Sequence, residues 1–160
     1  MIDGVDRKIL EIMQEDGRVT NAEIARRIGM APSAILERIR KLEDRGVIAG
    51  YTAKLNPSAI DKPLLAFVFV QAEERVWQTG TGEALAKIPE VQEVHHIAGE
   101  DCFLVKIRAR DTASLGRLMR ERFGAIDSIR STRTTIVLET VKETTSLPVE
   151  ATEREVKASA

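Results

Sequence analysis

The chain has 160 residues, 43% of them hydrophobic and 31% charged, with a formal net charge of -1. That length and composition suit one ordinary globular domain or two small ones, and the near-zero charge excludes nucleic-acid binding driven by a whole-chain basic field, so any such surface must be local. The single cysteine, Cys102, cannot close an internal disulfide, which fits a reducing compartment and a cytoplasmic location.

The opening MIDGVDRKIL is charged from its third residue, unlike a signal peptide. Val5, Ile9, Ile12 and Met13 then make a helical stripe, with Asp3 or Asp6 available to cap its start and Asp16-Gly17 to end it. Thr20-Asn21-Ala22-Glu23 predicts a capping box, in which Thr20 accepts from the Glu23 amide and Glu23 reaches back. Ile24, Ala25 and Ile28 form the stripe of this second, short helix, closed by Gly29. A third helix starts at Pro32, which suits a first turn because its missing N–H has no partner there anyway, and stops at Gly46, which takes the left-handed cap. Ile35, Ile39 and Leu42 are its buried stripe. Val47-Ile48 and Gly50 to Leu55 read as a short β-ribbon. Three helices followed by a ribbon is the winged variant of helix-turn-helix, assigned to residues 1–55.

Residues 56–63, with Pro57 and Pro63 near the ends, read as a linker. Residues 64–142 change character. Leu64 to Val70 is the longest apolar run, strand-sized and well short of the ~18 residues of a membrane span. A helix from about Thr79 to Ile88 buries Ala84, Leu85 and Ile88, and strands follow over Val91 to Ala98 and Phe103 to Ala109. Asp111 caps a second helix with Leu115, Leu118 and Met119 inward, and Arg130 to Val141 is a last strand. The order β-α-β-β-α-β is the ferredoxin-like arrangement, making the whole chain α+β. Its two helices cover one sheet face. A strand with its other face in water should alternate, and Leu64 to Val70 does not, so a second copy of the sheet is expected on that face, giving a homodimer. Residues 143–160 read as a polar tail.

A short capped helix, a tight turn and a longer cationic helix are how a DNA-reading helix is presented. Ser33, Ala34, Glu37 and Arg38 are expected to face base edges, Lys41 a phosphate, and Arg26 and Arg27 the DNA backbone. A serine hydroxyl donates to base or phosphate, an alanine leaves room for a thymine methyl, and a glutamate accepts from cytosine N4.

The linked series Asp6-Arg7-Lys8-Ile9-Leu10, Asp16-Gly17-Arg18, Glu23-Ile24-Ala25, Ile28-Gly29-Met30, Glu37-Arg38-Ile39 and Gly46-Val47-Ile48-Ala49-Gly50-Tyr51 strongly resembles the Lrp/AsnC family of feast/famine transcription regulators. The second half resembles that family's effector domain, called RAM, in element order, and Gly99-Glu100-Asp101 looks like its glycine-to-aspartate loop. The resemblance implies binding to double-stranded DNA and dimers paired through their RAM sheets. It further implies assembly into tetramers or octamers, and a small effector, usually an amino acid, held between dimers. By position, Gly99 and Asp101, with Glu100 between them, would hold the effector's ammonium or amide end, and Thr132 and Thr134 would supply hydroxyls. The family often has Ser where Ala31 stands and Pro where Ala34 stands, which leaves Ser33 as the helix-start hydroxyl.

An alternative of another class is an enzyme resembling the siroheme decarboxylases, which share this architecture and place histidines on a tetrapyrrole. His95-His96 is the only pair available, and strand neighbours point to opposite faces, so they do not chelate one metal together. One buried, hydrogen-bonded His and one exposed or interfacial His are expected. Cys102 reads as an ordinary loop or core thiol, and Trp77 with Phe67 and Phe69 as core or dimer interface. No phosphate-binding, dinucleotide or metal-ligand motif is present, and no cofactor, metal or catalytic activity is expected.

Overall fold

The computed structural model describes residues 2–73 and 80–149. The chain divides into two compact units, Met1–Ala53 with Glu143–Ala160, and Lys54–Lys142. The segment from Glu143 thus groups with the first unit, where the Leu147 amide donates to Gln14 Oε1 at 2.7 Å and Gln14 Nε2 donates to the Leu147 carbonyl at 2.9 Å.

The first unit is built on α1 (Gly4–Glu15), α2 (Asn21–Ile28) and α3 (Pro32–Asp44). Asp3 and Asp6 both serve the start of α1: Asp3 accepts from the Asp6 amide at 2.8 Å and Asp6 accepts from the Asp3 amide at 3.1 Å. This reciprocal cap satisfies two amides that otherwise lack helical partners. At α2 only half of the predicted box forms. Thr20 Oγ1 accepts from the Glu23 amide, but the Glu23 carboxylate is drawn to Arg26 and Arg27, whose charge-assisted bonds are stronger than one to a neutral amide. Gly29 adopts the left-handed conformation, φ 78°, and turns the chain into α3. Gly46, φ 67°, ends α3: its amide returns to the Glu43 carbonyl and the Val47 amide to that of Leu42. These two bonds are the Schellman closure. Ile9, Ile24, Ala25, Ile35, Ile39 and Leu42 form the core, matching the three predicted stripes where they meet.

The predicted ribbon over Val47 to Leu55 is not a ladder. Residues 47–56 are irregular or extended, with no strand assigned. A ribbon needs a hydrogen-bonding partner strand, and none is paired with this segment among the described residues.

The second unit holds a four-stranded antiparallel sheet in the order β2-β3-β1-β4, from β1 (Leu64–Ala72), β2 (Val91–His96), β3 (Phe103–Ala109) and β4 (Ile129–Ile136). Helices α4 (Gly80–Ala86) and α5 (Thr112–Leu118) pack with it, α5 running on through a wider π-type turn at Met119–Phe123. The predicted start of α4 at Thr79 and the role of Trp77 lie outside the described residues. Asp111 caps α5, accepting from the Ser114 amide at 2.6 Å. Ala66, Val68, Val70, Leu85, Phe103, Val105, Ile107, Leu115, Leu118 and Phe123 form the core, while Ala84 and Met119 are only half-buried. β4 stops at Ile136 rather than Val141: Ile136 faces Ala66, the Val137 amide still bonds the Leu65 carbonyl, and the chain then passes the start of β1 at Leu64. Phe67 and Phe69, on the sheet face turned away from the core, are half-buried. The thiol of Cys102 lies 3.5 Å from the Ala72 carbonyl, as an ordinary packed loop thiol does.

Candidate nucleic-acid interface and effector site

Helical geometry puts residues three and four apart on one face, so Ser33, Glu37, Arg40 and Lys41 form a single outward stripe on α3, and all four are exposed. Lys41 Nζ holds Glu37 at 2.7 Å, and this bond keeps the Glu37 carboxyl below its ordinary value. Ala34 is half-buried at the edge of the stripe. Leu36 and Arg40 share the exposed surface although neither is among the residues expected to meet DNA. Their signal was available: both lie off the buried stripe, and Arg40 is seven residues from Ser33 and three from Glu37.

Arg38 is the exception. It does not face outward with the stripe but reaches α1, with Nη1 2.7 Å from Asp3 Oδ2 and 2.7 Å from Asp6 Oδ1. Its guanidinium is pushed up by these two carboxylates, and the Asp3 carboxyl is held down by the Asp6 amide first and Arg38 second. In the free chain, Arg38, expected to meet base edges, is instead engaged by two carboxylates at the start of α1.

Arg26 and Arg27 are exposed or half-exposed on α2 and converge on Glu23, at 2.7 and 2.8 Å. Arg26, then Arg27, hold the Glu23 carboxyl down to about 2. The cations of this unit are thus largely matched by its own acids.

In the second unit Gly99, Glu100 and Asp101 lie in the loop joining β2 to β3, and Gly99 takes φ 143°, a conformation that favours glycine. Asp101 is mostly buried and accepts from Arg133 Nη2 at 3.1 Å. The Arg133 guanidinium lies 4.0 Å above the Phe69 ring. Gln71 ties the same loop to β4, donating to the Glu100 carbonyl at 3.4 Å and accepting from Ser131 Oγ at 2.8 Å. Thr132 and Thr134 are not brought to this cluster: they stand opposite Val70 and Val68 and share the core-side face of the sheet, whereas Arg133 stands opposite Phe69 on the other face. Gln71, Ser131 and Arg133 are the members of this cluster that sequence reading missed. Period-two alternation along β4 was the signal that separates Ser131 and Arg133 from the threonines.

His95 and His96 are both exposed, against the expectation that one is buried, because β2 is an edge strand. His95 lies 3.2 Å from Glu93, which also accepts from Lys106, and His96 stacks on Phe103 with ring centroids 5.0 Å apart. Among the described residues no three His, Cys, Asp or Glu side chains gather as a metal site.

A helix-turn-helix with an exposed polar helix, in one chain with a βαββαβ unit that carries a polar loop-and-strand cluster, defines a transcription regulator with separate DNA-binding and ligand-binding units. Comparison with known proteins agrees in both halves. Residues 2–49 match the winged helix-turn-helix DNA-binding model and residues 65–147 the Lrp/AsnC ligand binding domain model. The leucine-responsive regulatory protein of Escherichia coli is 38% identical over 152 residues, covering 92% of each chain. A transcriptional regulator of Neisseria meningitidis, solved in complex with L-methionine, superposes with a TM-score of 0.88 at 30% identity, covering 93% of this chain and 97% of that one. A feast or famine regulatory protein of M. tuberculosis, also complexed with L-methionine, gives 0.84 at 32% identity, with 92% and 99% covered. The chain belongs to the Lrp/AsnC family of transcription regulators.

Proposed function

We propose that this regulator binds specific duplex DNA through the outward stripe of α3 in the cytoplasm, and that an amino acid bound at the β2–β3 loop sets its assembly or its DNA affinity. The observation that supports the first part is the exposed row Ser33, Glu37, Arg40 and Lys41 on a helix that follows the left-handed turn at Gly29 and closes at Gly46. Side chains near such a helix start reach base edges in the major groove, and the later cations reach phosphates.

For the effector, Asp101 and Arg133 set an anionic and a cationic group 3.1 Å apart, the complement of the two ends of a zwitterion. Relatives solved with L-methionine support an amino acid as the ligand class. Phe67 and Phe69, apolar and half-buried on the sheet face turned from the core, support pairing of two copies through that face, and larger homo-oligomers built from such dimers. Two histidines on opposite faces of an edge strand give the tetrapyrrole reading no common site.

The mechanism is linkage: an effector shifts an equilibrium between assemblies only by its differential affinity for them. DNA titrations run with each of the twenty amino acids, beside sedimentation of the same mixtures, test it. One or more amino acids should raise the melting temperature and shift either DNA affinity or the oligomer distribution. A ligand that raises the melting temperature yet changes neither contradicts the mechanism.

A further inference from the structure

Acidic and basic side chains balance one for one across Met1–Ala53, and Arg38, Lys41, Arg26 and Arg27 are each held by an acid of that unit. The α3 unit therefore offers little net field to a polyanion. The opposite holds within Lys106 to Arg133 of the other unit, where eight Lys or Arg stand against three Asp or Glu.

Part of this excess is gathered on one exposed surface. Arg110 ends the strand side of the turn into α5, and both it and Arg117 act on the Asp111 carboxylate, helping to hold its pKa down. Arg117 and Arg120 lie three apart on the side of the helix away from Leu115, Leu118 and Phe123, and all three arginines are exposed. The Arg120 guanidinium folds back over Gly116, with Nη1 3.5 Å from where a Cβ there would sit. Asp111 is occupied as the helix cap and feels Arg110 and Arg117 only through space, and among the described residues no carboxylate lies within ion-pair distance of any of the three arginines. From Thr112, where α5 begins, to Arg120 the helix runs ~12 Å at about 1.5 Å of rise per residue, with Arg110 two residues before its start. Duplex DNA presents one phosphate charge per ~1.7 Å of axis, so several phosphates fall within that reach.

We propose that the Arg110–Arg117–Arg120 surface of the ligand-binding unit is a second contact for the phosphate backbone of duplex DNA, supplying the field that the α3 unit lacks. It rests on the DNA-binding reading above. Its chemistry fits a phosphate backbone because arginine forks match phosphate oxygens without reading bases.

The test is the salt dependence of binding by the full chain to a random-sequence duplex of about 150 base pairs, one persistence length. Wild type is compared with Arg110→Gln/Arg117→Gln/Arg120→Gln and with the matching triple Lys variant. Each lost phosphate contact lowers the slope of log affinity against log salt by about 0.9, so the Gln variant should lose about 2 to 3 from the slope. The Lys variant should keep it. These side chains are exposed, so the melting temperature and oligomer size should not move. A Gln variant with the wild-type slope overturns the proposal, including the case in which the surface serves an acidic protein partner instead. Wild type that binds no duplex at all overturns the DNA-binding reading itself, a distinguishable result.

Discussion

Replacing Arg38 by Ala separates the structural account of this side chain from the base-reading role its sequence position suggests. Arg38 joins α3 to α1 by two bonds of 2.7 Å. The Asp3 side chain is 54% exposed, so that pair contributes little, ~0–1 kcal/mol. The Asp6 side chain is 10% exposed, and without Arg38 it would keep only the Asp3 amide, at 3.1 Å. A charge-assisted bond is worth about 1.5–3 kcal/mol, and stranding one buried partner costs in the same range. Together these give a loss of about 2 kcal/mol for the first unit. Amide hydrogen exchange in α1 and α3 measures it locally: where exchange passes through opening of the unit, protection should fall about thirty-fold. The Lys variant, which keeps one charge-assisted bond, should lose less. DNA affinity should fall with stability while the salt slope stays constant. Unchanged exchange with a slope lowered by about one would refute the reasoning and return Arg38 to the DNA backbone.

Further outcomes follow from the same geometry. Glu23→Gln should release Arg26 and Arg27 and tighten DNA binding roughly threefold at low salt, read by fluorescence anisotropy. Because folding lowers the Glu23 pKa from 4.5 to about 2, its contribution to stability is present above 4.5 and lost as pH falls toward 2. The stability difference between wild type and Glu23→Gln should therefore close across that window in urea titrations. Gly46→Ala forces a side chain into φ 67° and should cost about 1–2 kcal/mol, seen as a lower urea midpoint for the first unit. Gly82→Ala would place a Cβ 2.9 Å from the Phe103 ring in the core of the second unit. It should destabilise that unit by ~1–3 kcal/mol, with thermal unfolding as the measure.

The helices and strands were legible because their stripes are local: Ile35, Ile39 and Leu42 recur at helical spacing, and Phe103, Val105 and Ile107 alternate as a half-buried strand does. What depended on distant partners was not. The ribbon after Gly46 reads as strand by composition, yet a strand exists only with a neighbour to bond. β4 ends near the start of its antiparallel partner β1, which its own Thr- and Val-rich sequence does not say. At the sites, Arg38 looked like its neighbours on α3, and only a contact 32 residues away turns it inward. Arg133 was passed over for Thr132 and Thr134, although alternation along the strand already set it on the other face.

Selection of binding sites from a random duplex pool tests the central claim, that α3 reads DNA sequence, most directly. Wild type should enrich a defined motif, and Glu37→Gln should shift the preferred base at one position within it, since an acceptor of cytosine N4 becomes a group that also pairs with adenine. Enrichment of no motif by wild type, or an identical motif from the variant and from Ser33→Ala and Arg40→Gln as well, would contradict it.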